Sequence, residues 1–201
     1  RCSRDWSSDV CSSDLIFSIG HSNHPIERFL ALLEAQGVTA LADVRSMPYS
    51  RRVPQFGRER LGASLRDAGV AYVFLGVELG GKRPGMSLAE IAVTDAFARS
   101  LDRLRDGAAR HHIAFMCAER EPLDCHRTML VARHLRTTPD LAIRHILADG
   151  SVEAHASVER RLVEKMRLAP LPLVASDPRE WEAAVERAYD ARSRKIGRAH
   201  V

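Results

Sequence analysis

Between residues 117 and 127 the chain reads Cys-Ala-Glu-Arg-Glu-Pro-Leu-Asp-Cys-His-Arg. Two thiols, a carboxylate, an imidazole and a guanidinium this close together suggest three chemistries. Glu119 and His126 are candidates for proton transfer as general acid and base. Cys125 beside Arg127 is a candidate nucleophile, because a thiol next to a cation and a helix start holds more thiolate. Pro122 is expected to open that helix, with Cys125, His126 and Arg127 in its first turns. Cys117 and Cys125 together could instead respond to oxidation or to a metal. The C-x7-C-H spacing lacks the second C-x2-C or H-x3-H pair that makes zinc motifs specific, so no metal and no cofactor is assigned. Both cysteines also read as small buried hydrophobes.

Three further stretches carry polar groups of the same kind: Gly20-His21-Ser22, Asp43 to Arg52, and Gly80-Gly81-Lys82-Arg83. Arg45, Arg51 and Arg127 are expected to hold an anion, with Ser50, Gly20, Ser22 and Cys117 as ligand contacts. Asp43 could hold one of these arginines in place, and Gly80 and Gly81 could admit a phosphate to the backbone or make only a tight turn. His21 is read as positioning substrate or water, or as a turn histidine bonded to its own loop. The ligand class is then anionic: a phosphate-bearing small molecule, a nucleotide or a nucleic acid. No G-x-G-x-x-G follows the first strand, no G-x-x-x-x-G-K-[ST] loop occurs, and no arginine follows Cys117 at a phosphatase-loop spacing. Dinucleotide dehydrogenase and NTPase chemistry are not expected on that basis.

The elements that must position these groups follow from the apolar pattern. Ile16–Ile19, Val38–Val44, Val70–Leu75, His112–Met116 and Ile143–Leu147 read as strands. Helices are expected over Ile26–Leu33, Arg58–Ala68, Leu88–Leu104 and His126–Leu135. Such alternation predicts a Rossmann-like three-layer α/β/α domain, residues 16–167, with a mostly parallel sheet of about five strands. Ligands of open α/β sheets sit beyond the strand carboxyl ends, where every polar stretch named above falls. Residues 168–194 read as a linker and a C-terminal helix whose Trp181, Val185 and Tyr189 share one face, for docking or for a homodimer.

GHS at 20–22, DVR-x-x-P-x-SR from Asp43, the P-x-F of Pro54 and Phe56, LGG, CAE-x-x-P-x-x-CHR and the His145-Ile146 strand together resemble the family called domain of unknown function 488. The resemblance covers about Ile16 to Val163. It implies a Rossmann-like α/β fold and brings no substrate or catalytic residue with it, so the function is argued from the residues themselves.

The ends have a separate origin. Asp9-Val10-Cys11-Ser12-Ser13-Asp14-Leu15 and Lys195-Ile196-Gly197-Arg198-Ala199-His200-Val201 are encodable by reverse complements of one short DNA that looks like a sequencing-library adaptor. Residues 1–15 and 195–201 are therefore read as non-native and set aside. This removes Cys2 and Cys11, leaving Cys117 and Cys125 and no basis for a disulfide scaffold. Lys+Arg falls from 30 to 26 and Asp+Glu from 26 to 23, a net charge of about +3. With 45% apolar and 28% charged residues in 201, the chain is neither disordered nor fibrous. It has no apolar run long enough to span a bilayer and no basic-then-apolar leader, so no membrane partner and a cytoplasmic location are expected.

Overall fold

A computed structural model describes residues 14–170 and 177–198. Most of the N-terminal adaptor-like segment with Cys2 and Cys11, the Leu171-Pro172-Leu173 stretch and residues 199–201 lie outside the described residues. Six strands form one sheet: β1 (Asp14–Gly20), β2 (Ala40–Asp43), β3 (Ala71–Phe74), β4 (Ile113–Cys117), β5 (Leu141–Ile146) and β6 (Val152–Ala154). Their order is β3-β2-β4-β1-β5-β6, parallel throughout except for the antiparallel β5–β6 pair.

Both faces of this sheet are covered, which is why the central strands are near-continuous apolar runs and not alternating ones. On one face Phe29, Leu32 and Leu33 of α1 (Ile26–Glu34) and Leu61 and Leu65 of α2 (Arg58–Asp67) pack on Phe17, Ile19, Leu41 and Met116. On the other, α5 (Asp95–Ala108) brings Phe97, Leu101 and Leu104, at helical spacing, against Ile16, Ala42 and Phe115. Successive residues Ile16 and Phe17 thus enter opposite cores, as the two-residue period of a strand requires. Each such large side chain removed from water contributes roughly 1.5–3 kcal/mol.

Several boundaries differ from the sequence expectation. The helix expected over Leu88–Leu104 is two, α4 (Leu88–Ala92) and α5, because the Thr94 hydroxyl accepts from Phe97 N–H and caps a new start. A four-residue turn of helix, α3 (Gly76–Leu79), precedes them. β6 makes a sixth strand, joined to β5 through a turn containing Asp149-Gly150, a dipeptide typical of hairpins. Pro122–Asp124 forms its own 3-10 turn, and Cys125 is extended with φ −129° and ψ 143°, so the helix begins only after His126. That helix is π-helical over Arg127–Ala132 before the short α6 (Arg133–Leu135).

The last two helices, α7 (His155–Lys165) and α8 (Pro178–Arg198), complete the second layer. Val185 and Tyr189 of α8 are fully buried and Trp181 partly so, all in contact with the protein's own core. Arg133 joins Glu186 at 2.5 Å and Asp190 at 2.8 Å to fasten the outer face of α8. The helix continues without a break through Lys195, and Ile196 is buried. Among the described residues no helix is long and apolar enough to cross a membrane.

A buried polar chain crosses this layer. Ser18 Oγ lies 2.6 Å from His145 Nδ1, His145 Nε2 lies 2.8 Å from His155 Nδ1, and His155 Nε2 lies 3.0 Å from the Tyr189 hydroxyl. That hydroxyl donates to Glu159 Oε1 at 3.1 Å. Tyr189 has one proton, and it goes to the carboxylate, so the His155 Nε2–H must donate to the phenol oxygen. Each step back then follows: His145 Nε2–H donates to His155 Nδ1, and Ser18 donates to His145 Nδ1. Every donor has one acceptor only if both imidazoles are neutral.

Candidate functional site

The chain turns outward in opposite senses from β1 and β4. The helix after β1 covers one face and the helix after β4 the other, so the crevice between their carboxyl ends is the switch point of the sheet. Gly20 pairs with Cys117 across it, and the ladder continues past the strand ends through His21 N–H to Cys117 O and Ser22 N–H to Ala118 O, both 2.9 Å. Gly20 is required here: a Cβ would stand 1.9 Å from the Glu119 carbonyl oxygen and 3.0 Å from Arg127 Nη1. Ser22 adopts φ 49°, a left-handed conformation uncommon for a non-glycine residue, at the mouth of the crevice.

The loop after β4 closes on itself. Arg127, wholly buried, donates Nη1–H to the Glu119 carbonyl at 2.5 Å and Nη2–H to that of Arg120 at 3.2 Å. The 3-10 turn at Pro122–Asp124 then returns the chain so that Cys125 reaches back to Cys117. Four side chains converge: Glu119 Oε2 accepts from Cys117 Sγ at 2.9 Å and from Cys125 Sγ at 3.0 Å, while His126 Nδ1 stands 3.4 Å and 4.0 Å from the same two sulfurs. All four donor atoms lie within 4.8 Å of one another. The other imidazole nitrogen, His126 Nε2, donates to Val44 O at 2.9 Å, which leaves the Nδ1 lone pair facing the thiols.

The electrostatics of this cluster are uneven. Burial alone would raise the Glu119 carboxyl, but hydrogen bonds from the two thiols and the nearby His126 bring it down to about 2. Burial pushes Cys117 well above the usual thiol range. Cys125 is also pushed up by burial but is drawn below that range by its neighbour Cys117, the Arg127 charge and His126. Such an arrangement can move a proton between a thiol and Glu119, and it can share a cation.

Beside it, Arg45 is held by Asp43 in a two-pronged pair, Nε to Oδ1 at 2.9 Å and Nη2 to Oδ2 at 2.6 Å. Nη2 also donates to Phe56 O at 2.8 Å and Nη1 to His21 Nε2 at 3.1 Å, so one of five guanidinium hydrogens remains. Tyr72 donates its hydroxyl to Asp43 at 2.9 Å. His21 bonds Ser22 O through Nδ1 at 2.7 Å and stacks on Phe56 at 4.2 Å. Burial, and then the Arg45 charge, lower its pKa to about 4. Both His21 nitrogens are engaged, so it supports Arg45 and does not meet His126.

Two adjoining clefts open on the rim and share Arg45, Met47 and Ala118. The smaller, about 120 Å³, is walled by Cys117, Glu119, His126, Gly81 and Lys82, and Ile196 reaches it from α8. The larger, about 590 Å³, is walled by Ser22, Ser50, Arg52, Arg120 and Tyr49 among others. Its lining cations include Arg45 and Arg52, both expected at the rim from sequence, and Arg120, which was not. Arg51 is exposed outside the clefts, Arg127 is buried and gives one hydrogen to each of two backbone carbonyls while its Nε has no partner among the described residues, and Arg83 donates to Val77 O and Glu78 O. Arg120 directly follows Glu119, and that adjacency was the available signal.

Gly80 and Gly81 serve close packing. A Cβ on Gly80 would stand 2.4 Å from Ser46 Oγ, and one on Gly81 2.6 Å from His126 Cβ. Gly81→Ala is accordingly expected to displace His126, costing about 1–3 kcal/mol of stability as overpacking does. Thermal unfolding compared with Gly85→Ala, whose Cβ meets nothing within 4 Å but whose φ is 72°, separates crowding from backbone strain. An unchanged His126 environment by NMR in Gly81→Ala would contradict the contact.

No curated protein and no solved structure matches the chain. A family model described as "Domain of unknown function DUF488" matches residues 25–134, which takes in Asp43, Arg45, the Gly80-Gly81 turn and the whole Cys117–Arg127 segment. The match is narrower than the 16–163 span of the sequence resemblance and leaves Gly20-His21-Ser22 and His145 outside it. Covering more than half of the chain, it shows that the protein belongs to the DUF488 family.

Proposed function

We propose that the switch-point rim is the site of an enzyme acting on an anionic, nucleotide-type small molecule. The observation that carries this reading is the adjacency of the two clefts: a basic one with Arg52, Arg120, Ser22 and Ser50 shares Arg45, Met47 and Ala118 with the smaller one, which holds the thiol, carboxylate and imidazole. Phosphate oxygens suit the first and a reacting bond the second. Met47 and Tyr49, 70% and 67% exposed, stand at the edge of the basic cleft, where a flat heterocycle could stack. Reactive side chains at the crevice outside parallel strand ends are the usual arrangement for ligand chemistry in this architecture.

The test is a thermal-shift screen of the full chain against nucleotides, sugar phosphates, inorganic phosphate and short oligonucleotides. A nucleotide-type ligand is expected to raise the unfolding midpoint, and Arg52→Ala and Arg120→Ala each to weaken it roughly 10-fold or more, the worth of a hydrogen bond to a charged group. A shift that persists unaltered in both variants would remove the basic cleft from the reading. Binding with no product on prolonged incubation would reduce the site to a binding module.

A further inference from the structure

Glu119 is half-buried, and its carboxylate is met by two thiols in place of a charged nitrogen. Thiols are weak donors, and a desolvated carboxylate ordinarily has a cation or strong donors beside it. The Arg127 guanidinium is turned to the Glu119 and Arg120 backbone carbonyls, and no side-chain nitrogen among the described residues hydrogen-bonds the carboxylate. The cluster thus presents an anion, two ionisable sulfurs and an imidazole lone pair to one small space.

Its dimensions are those of a coordination sphere. Ligand atoms about 2.0–2.3 Å from one ion in a tetrahedron stand about 3.3–3.8 Å apart. Four of the six separations, 2.9, 3.0, 3.4 and 4.0 Å, straddle that range and all six lie within 4.8 Å, so side-chain shifts of up to about an ångström would complete it. The support beyond the donors fits as well. The His126 Nε2–H is fixed on Val44 O, which selects the tautomer that leaves Nδ1 free, and metal-bound histidines characteristically have their second nitrogen tied this way. Arg127 fixes the backbone that carries Glu119, and Gly20 and Gly81 are the residues whose missing Cβ atoms let the loops close.

We propose that Cys117, Glu119, Cys125 and His126 together bind one divalent transition-metal ion, with the smaller cleft admitting a ligand as a fifth donor. Two sulfurs, one imidazole nitrogen and one carboxylate oxygen form a set for a borderline ion such as zinc, and not for magnesium or calcium, which take oxygen. On binding, two S–H bonds break and two metal–sulfur bonds form. Both protons leave to solvent, no electrons move, and Glu119 is already anionic. The inference deepens the proposed function by naming the group at the reacting wall. It rests on that function only for the idea that the ion meets the ligand.

The experiment uses the full chain with Cys2→Ser and Cys11→Ser, so that Cys117 and Cys125 are the only thiols. The protein is stripped with a chelator and titrated with Co²⁺ and then Zn²⁺. The expected result is one ion per chain, thiolate-to-cobalt charge-transfer absorption with intense tetrahedral d–d bands, bleaching by Zn²⁺, and release of about two protons per ion. Cys125→Ser is expected to weaken cobalt affinity more than about 100-fold, and Glu119→Gln at least about 10-fold. Should Cys125→Ser fail to fold, His126→Gln, changed at a half-buried side chain, gives the same readout.

A folded chain by circular dichroism with no charge-transfer band overturns the proposal, as does a Cys125→Ser protein that binds as tightly as its parent. Air oxidation to a Cys117–Cys125 disulfide without metal uptake overturns it in favour of a thiol switch. A cobalt spectrum with no phosphate-ligand shift leaves the ion and sinks the ligand reading. A ligand shift in chelated protein that never yields a cobalt spectrum does the reverse.

Discussion

Replacing Asp43 by alanine is expected to destabilise the protein by about 3–5 kcal/mol, the cost of removing one partner from a buried ion pair. Asp43 is wholly buried and Arg45 only 5% exposed, so solvent does not replace the lost carboxylate. Four donors lose their acceptor at once: the Arg45 backbone N–H, Arg45 Nε–H, one Arg45 Nη2–H and the Tyr72 hydroxyl. The damage spreads to the site, because Arg45 also holds His21 through Nη1 and Phe56 through its carbonyl. Urea unfolding of Asp43→Ala at pH 7, with the slope against urea unchanged, measures the loss. The double variant Asp43→Leu, Arg45→Met is expected to recover much of it, since an apolar pair of similar volume carries no unpaired charge. A cost below about 1 kcal/mol for Asp43→Ala is what an exposed pair would give, and would contradict the burial described.

This pair also marks the limit of what the sequence can disclose. The strands were legible because a sheet covered on both faces needs unbroken apolar runs, and Ile16–Ile19 and Ile113–Met116 supply them. From the strands, the rule that ligands sit at their carboxyl ends brought Gly20-His21-Ser22, Asp43–Arg45 and Cys117–Arg127 to one rim, where they are. Burial of a guanidinium leaves no trace in sequence. Arg45 and Arg127 look like anion clamps on the page, whereas in the fold four of the five Arg45 hydrogens go to internal partners and Arg127 is buried against two backbone carbonyls, and Arg52 and Arg120 line the larger cleft beside Arg45. The Cys117, Glu119, Cys125 and His126 cluster was visible as a list of residue types but not as a shape. Its closure depends on the 3-10 turn at Pro122–Asp124, which holds Cys125 in an extended conformation and returns it to Cys117. A helix begun at Pro122 would have carried it along the helix axis instead. The Thr94 cap that divides α4 from α5 and the short β6 escape a reading by apolar periodicity because one is a single hydroxyl and the other three residues long.

Acidification should unfold the protein through the chain linking Ser18, His145, His155, Tyr189 and Glu159. Burial, and then the Arg136 charge, lower His155 to about 3, and burial with His155 and Arg127 lowers His145 well below the usual imidazole range. In the unfolded chain both return to about 6.5. The unfolded state therefore takes up protons first as pH falls, so the stability held by this chain is complete above about pH 6.5. It is lost progressively between there and about pH 3 for His155. Its slope is about 1.4 kcal/mol per pH unit for each histidine that stays neutral in the fold. The structural reason is the one-way sequence of donors: a second proton on His155 places an N–H at Nδ1, where His145 needs an acceptor. Neighbouring charges do not rescue it. Glu159 Oε1 stands 3.5 Å from His155 Nε2, but that carboxylate is paired with Arg136 at 3.2 Å and already accepts the Tyr189 hydrogen bond. Urea midpoints of the parent and His155→Gln at pH 7.5, 6.0 and 5.0 test this. The variant should be the less stable at pH 7.5, where the chain is intact, and should lose less on acidification, so that the two curves converge. Parallel curves would show that His155 does not stay neutral as the buried chain requires, and the directed order of its hydrogen bonds would have to be abandoned.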